Sequence, residues 1–426
     1  MTAVRPPCYL AVGVAAPLSR QLALLERAPA FRLLFLATLG SGIGTWLAAI
    51  ALIVDVFDRT GSGAWVSALL IADFVPGILI GLLLGSLIDR LPRKRLMVVA
   101  DVVRFGVFCY LPFAHSAPAI VAAAAIVGLA NAFFMPAVWA GMPNLVDDEE
   151  LPFANSLFQT TDNLTWAIGP LIGGGLVAGS SPHLAYWINA VTFLASAALV
   201  ARIPARALQS SRALSRGHFS DLADGFRTVL RSRALLGVLV AWTIWSFGGA
   251  AINVGEVVLA KVTFSSGAFG FGFLAASAGV GLVLGSALVP PLIERRGVGS
   301  VYALTIGLQA FGFGAAALSP DVWVAGACVV VAGLGNGASV VCNGLLVQRG
   351  APDHLRGRVF TLIMSVNSAA RGIGMACAGL AVDAFGARWL WGGAAVAFAL
   401  AALSGAALVP GRSSPGLSTR PENAAL

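Results

Sequence analysis

Six ionisable side chains stand inside long apolar stretches of this sequence: Asp73, Asp101, Arg104, Asp162, Glu256 and Arg371. A charge in hydrocarbon is costly, so such residues are read first as groups that move protons, ions or substrate. Asp101 and Arg104 lie three positions apart, hence on one helical face, and read as an internal ion pair. Asp162 sits near Gln159, Asn163 and Trp166, about two turns into its segment. Asp73 and Arg371 fall at similar depth, about 20 Å from the basic ends of their segments. Glu256 lies close to a segment end, where water reaches it.

Other chemistries lack their residues. Cys8, Cys109, Cys328, Cys342 and Cys377 are scattered with no C-x-x-C and read as small apolar packing residues. His115, His183, His218 and His354 form no H-E-x-x-H pattern, so no metal site is expected. Lys94 and Lys261 are the only lysines, and neither completes a G-x-x-x-x-G-K-[ST] phosphate loop. No Ser/His/Asp or Cys/His grouping suggests a nucleophile. The expectation is a protein that is not an enzyme and needs no cofactor.

The elements that must position these charges follow from composition. Of the 426 residues, 58% are hydrophobic and 11% charged, against about 25% charged in soluble domains. The solvent for such a chain is lipid, and its formal charge of +8 points to membrane topology, not to nucleic acid. Breaks at charge, Gly and Pro leave twelve candidate spans: 31–54, 64–88, 95–114, 118–146, 156–180, 184–203, 234–259, 268–293, 299–318, 322–349, 357–382 and 386–409. Each has the length of a membrane helix. The fold class expected is an all-α membrane protein.

Twenty-two of the 27 basic residues fall in the tails and even-numbered loops. Arg59, Lys261 and Arg388 are the three in odd-numbered loops, which places both termini in the cytoplasm. The expected organisation is a cytoplasmic tail at 1–30, a six-helix bundle at 31–203, a basic cytoplasmic linker at 204–233, a second six-helix bundle at 234–410 and a tail at 411–426. A surface helix within the linker is expected around "FSDLADGFRTVLRS". The halves resemble each other: "VGLANAFF" (127–134) matches "AGLGNGAS" (332–339) at an offset of 205, pairing Asn131 with Asn336. At that offset Asp148 meets Asp353, Gly169 meets Gly374 and Gly174 meets Gly379, while "GLLLGS" (81–86) matches "GLVLGS" (281–286) at 200. A parallel duplication is a known transporter architecture.

The motifs then fall into place. "GSLIDRLPRKR" (85–95), with Gly85, Asp89, Arg90 and Arg93, resembles the G-x-x-x-D-R-x-G-R-[RK] loop between helices 2 and 3 of the major facilitator superfamily; Pro92 stands where the family has Gly. The resemblance implies twelve helices in two pseudo-symmetric bundles, with Asp89 and Arg90 latching the inward-closed state against the second bundle. "WAIGPLIGGG", with Gly169, Pro170, Gly173 and Gly174, resembles the G-P-x-x-G-G core associated with antiporters of that superfamily. "PNLVDDEELPFANSL" (143–157) and "PDHLRGRVF" (352–360) resemble a narrower branch that includes the enterobactin exporter and macrolide-efflux proteins. Helices 2 and 11 face each other in that fold, so Asp73 and Arg371 are expected in a paired or water-exposed contact that biases alternating access. Asp73, Asp162 and Arg371 are the proton-coupling candidates; Asp101 and Arg104 join the conformational set.

A midplane cavity between the bundles is expected, lined from among Asn131, Met135, Trp139, Trp166, Trp242, Trp245, Asn253, Asn336 and Asn343. Amides and aromatic rings suit large amphipathic ligands. The expected function is a monomeric secondary transporter in the cytoplasmic membrane, exporting a drug, siderophore or metabolite in exchange for protons. Importers, lysophospholipid transporters and, in another class, membrane enzymes are the alternatives.

Overall fold

The computed structural model describes residues 18–88, 91–147, 149–209, 226–351 and 355–409. Hydrocarbon offers the backbone no hydrogen-bonding partner, so a spanning chain satisfies itself as helix; among the described residues there is no strand. We number the twelve long helices α1 (Pro29–Thr60), α2 (Gly63–Ile88), α3 (Arg93–Tyr110), α4 (Ala117–Gly141), α5 (Leu151–Gly179) and α6 (Pro182–Arg202). The second set is α7 (Arg233–Val258), α8 (Gly267–Leu288), α9 (Val298–Leu318), α10 (Val322–Gly350), α11 (Arg356–Phe385) and α12 (Ala387–Leu408). Ten of the helices are long and apolar enough to cross a bilayer. Of the other two, α5 is interrupted by the polar run Gln159–Asn163, while α2 carries Asp73 as its single charge and is apolar over Gly63–Gly77.

Each expected span corresponds to one long helix, one of them followed by a short second helix, with shifted ends that have local causes. The first runs on to Thr60 instead of 54, because Asp55 and Arg59 pair at 2.7 Å one turn apart and stay helical. Gly61, at φ 61°, then ends it with a left-handed cap. The expected span 268–293 divides after Leu288: Pro290 and Pro291 remove two backbone donors and start a separate short helix, Pro290–Arg296. Within the 204–233 stretch, Ala205–Leu208 forms a single helical turn; the first half of "FSDLADGFRTVLRS" lies outside the described residues, and 226–231 is helical.

Helix packing follows the duplication. α1 packs on α5 and α6, α2 on α4, and α3 on α4 and α6. Adding six to every number gives the second set: α7 on α11 and α12, α8 on α10, α9 on α10 and α12. The core repeats at the 205-residue register. Phe108 and Phe193 have ring centroids 5.6 Å apart, and their counterparts Phe313 and Phe398 are also 5.6 Å apart. Gly128 presses on the Asp73 carbonyl, and Gly333 presses on the Ala278 carbonyl in the same way. The "GLLLGS"/"GLVLGS" match is therefore out of register, since Pro76 precedes Gly281 by 205.

Two crossings join the six-helix groups: α2 with α11, and α5 with α8. They meet near the far face, where α1 and α11 end and α2 and α8 begin. At the opposite, terminal face α1 and α7 begin and α6 and α12 end. The site is governed by this difference between the faces.

Candidate functional site

Toward the terminal face, α1, α4 and α5 enclose a cavity of about 280 Å³. The α4 wall is a stripe with a residue every four positions, Asn131, Met135 and Trp139, as helical periodicity requires. The α5 wall brings Phe158, Gln159, Asp162 and Thr165. On α1 stand Thr38, Ser41 and Thr45. Each of these hydroxyls donates to a carbonyl of its own helix, Thr45 Oγ1 to Ser41 O at 2.7 Å among them, so their donors are spent within α1. Polar groups satisfied this way stand in an apolar segment at little cost.

Arg104 reaches the cavity edge from α3 but is only 3% exposed. Its Nη2 pairs with Asp101 Oδ1, and its Nη1 donates to Asn131 Oδ1 at 2.7 Å. The second Asp101 oxygen accepts from Ser196 Oγ at 2.7 Å. The guanidinium lies between the rings of Phe134 and Phe193, at 4.2 and 4.4 Å. The buried pair ties α3, α4 and α6 together, while Arg104 Nε is buried without a hydrogen-bond partner among the described residues. At the 205 offset Arg104 becomes Gln309, which accepts from Trp245 Nε1 at 2.7 Å and donates to Ser339 Oγ at 3.2 Å. One half is braced by charge, the other by neutral groups.

The matching region of the second group is a narrow crevice lined by Trp242, Trp245, Tyr302, Asn336 and Asn343. Tyr302 Oη, Asn336 Oδ1 and Asn343 Oδ1 are buried there without a hydrogen-bond partner. The expected substrate residues thus separate into two clusters on opposite halves. Trp166 packs edge-on against Trp46 of α1, with centroids at 6.3 Å. Asn253 lines neither cluster, and its Nδ2 donates to Gly249 O at 3.2 Å within its own helix.

Asp73 and Arg371 form no ion pair, so the direct contact expected between them is absent. The Asp73 backbone is held against Gly128 of α4, while the Arg371 guanidinium lies 5.9 Å from the centre of the Trp245 ring. Each is engaged inside its own helical group. Arg93, a residue of the expected conformational motif, donates to Ala140 O at 3.0 Å and Leu208 O at 2.8 Å. It clasps α3 to the end of α4 and to the Ala205–Leu208 turn. Asp89 and Arg90 lie outside the described residues, and Gly85 is described only by its place in α2.

The GPLIGG segment serves two contacts. A Cβ on Gly169 would lie 2.5 Å from Trp46 Cβ, and one on Gly173 would lie 2.8 Å from Leu47 O, both on α1. Gly174 faces the other way: a Cβ there would lie 2.8 Å from Ala268 O and 2.9 Å from Gly272 Cα on α8. Its mate Gly379 abuts Ser67 of α2, whose hydroxyl donates to the Met375 carbonyl of α11.

The far face holds contacts that the motifs did not reveal. The Asp383 carboxylate on α11 accepts from Ser62 Oγ at 2.5 Å, Gly63 N at 2.6 Å and Ala64 N at 3.2 Å, capping α2 from the other group. Lys261 pairs with Asp58 across the same boundary. Their one sequence signal was Lys261, a rare lysine in a loop otherwise poor in base. Among the described residues no group of three or more His, Cys, Asp or Glu could hold a metal ion.

Two duplicated six-helix groups, joined near one face, with a cavity in the first group toward the other face, define a multi-pass membrane transporter. The profile of the Major Facilitator Superfamily matches residues 34–375, and again 257–425. The chain belongs to that superfamily. It is 29% identical over 380 residues to the multidrug efflux pump Tap of Mycobacterium tuberculosis, covering 85% of this chain and 88% of Tap. Tap of Mycolicibacterium fortuitum is 25% identical over 383 residues, covering 85% and 91%. A crystal structure of a bacterial homologue of the iron transporter ferroportin in its inward-facing state superposes with a TM-score of 0.71. It covers 89% of this chain and 98% of the other at 16% identity, a likeness of fold.

Proposed function

We propose that this protein exports a small amphipathic compound across the cytoplasmic membrane by alternating access, driven by inward movement of protons, and that one chain suffices. The observation that carries this reading is the cavity among α1, α4 and α5, placed toward the terminal face while the groups are joined near the far face. Arg93, Lys94 and Arg95 at the start of α3, and Arg295 and Arg296 after α8, support a cytoplasmic terminal face. A cavity loading from the cytoplasm is what an exporter needs. The similarity to the two Tap pumps supports the direction. Aromatic and amide linings suit amphipathic ligands, and Asp73 and Asp162 are acids within the helices that could take a proton.

The test uses inside-out vesicles containing the protein, with an acid lumen. A fluorescent amphipathic compound should accumulate in the lumen and leak out when a protonophore collapses the gradient. Accumulation only in right-side-out vesicles would reverse the direction, and accumulation indifferent to the protonophore would remove proton coupling.

A further inference from the structure

The cavity among α1, α4 and α5 contains one charge that no group among the described residues balances. Asp101 is wholly buried and spent on Arg104 and Ser196. Arg104 is spent in turn on Asp101 and Asn131, so these two charges cancel. Asp162 is different. Its backbone carbonyl accepts from Thr165 Oγ1 at 2.9 Å; among the described residues its carboxylate makes no hydrogen bond or ion pair, and the residue is exposed on the cavity wall. Arg371, a cation of the other helical group, is held by the Trp245 ring and does not line this cavity. At the position 205 beyond Asp162 stands Asn367, so the second half has no counterpart charge.

Aromatic rings surround that carboxylate's cavity. Phe158 stands 5.7 Å from Phe35 and 6.0 Å from Trp139, and all three line it with Trp46. Ring faces attract cations and repel anions. A lone carboxylate near aromatic faces, in a space of low dielectric, favours a positive group on the ligand over a neutral one of equal shape. About 280 Å³ holds the charged end of a drug-sized molecule.

We propose that this cavity selects amphipathic compounds bearing a positive charge, and that Asp162 is the residue that reads the charge. This rests on the export reading above and names its substrate class.

The experiment compares two ligands of nearly the same shape, methyltriphenylphosphonium and neutral triphenylphosphine oxide. Their binding to the purified full-length protein is followed by quenching of tryptophan fluorescence. The cation should bind about tenfold more tightly, the effect of one charge-assisted contact with ring support. In Asp162→Asn the two ligands should bind alike, at the affinity of the neutral one; in Asp162→Glu the preference should persist. Monodispersity and melting temperature establish that each variant is folded. Equal affinities in the native protein, failure of the cation to bind, or a preference surviving in Asp162→Asn overturns the inference. Export of a neutral compound into inside-out vesicles would leave the export reading standing in any of those cases. Absence of pumping counts against the reading itself.

Discussion

Gly174 on α5 and Gly379 on α11, related by the 205-residue repeat, each sit where the two halves of the transporter touch. Gly174 meets Gly272 of α8, and Gly379 meets Ser67 of α2; Gly272 and Ser67 are themselves 205 apart. The joined face is therefore built twice from one pattern. Backbones approach here more closely than a Cβ permits.

A side chain at either glycine should prop the far face open. Gly174→Leu is expected to disfavour the joined state by at least about 1–3 kcal/mol, the usual cost of overpacking. Purified protein should retain its helical content, while transport falls and a cysteine placed at Ser67 becomes reactive to a water-soluble maleimide. Unchanged labelling and transport would show that the crossing tolerates separation.

Asp383 should act as the releasable clasp of the same face. It satisfies two donors of α2's first turn and the Ser62 hydroxyl from the opposite group. Asp383→Ala should weaken the joined state by about 1–2 kcal/mol, the scale of a helix cap with its favourable dipole. Spin labels on α2 and α11 near the far face should show a longer mean distance. The same labels in Lys261→Ala should move less, because an exposed ion pair contributes little.

The Asp101–Arg104 pair holds three helices, so breaking one side should cost more than the pair gives. Arg104→Ala leaves Asp101 uncompensated and should lower stability by about 3–5 kcal/mol. Replacing both, as Asp101→Leu with Arg104→Met, should restore most of the melting temperature measured in detergent. A double variant no more stable than the single one would mean that the charges serve packing only through their shape.

Asp73 lies where the second half has Ala278, so the acid belongs to one half alone. On the proton-exchange reading, Asp73→Asn should abolish accumulation driven by a pH gradient in vesicles. Exchange of labelled for unlabelled substrate, which needs no net proton movement, should continue. Full gradient-driven accumulation by this variant would leave Asp162 as the remaining coupling candidate on α5.

Much of this architecture was legible without coordinates. Lipid as solvent forces long apolar runs, so helix number and order follow from composition and breaks. Duplication leaves residue matches at a fixed spacing, and Asn131 with Asn336 revealed it. The Asp101–Arg104 pair also followed, because three residues on a helix fix a common face. Arg93 did not follow: a basic residue in a loop carries no sign of which carbonyls it will reach, and Ala140 and Leu208 are brought to it only by folding. Asp73 and Arg371 were matched by depth, yet depth along a helix says nothing of rotation about its axis. Rotation is set by the whole set of packing contacts, which laid the Asp73 backbone against Gly128 of α4 and the Arg371 guanidinium beside Trp245. The same contacts left Asp162 facing an open cavity and Asp383 facing the start of α2. The segments and their duplication are properties of local chain physics; partnership across them arises only when the helices are packed.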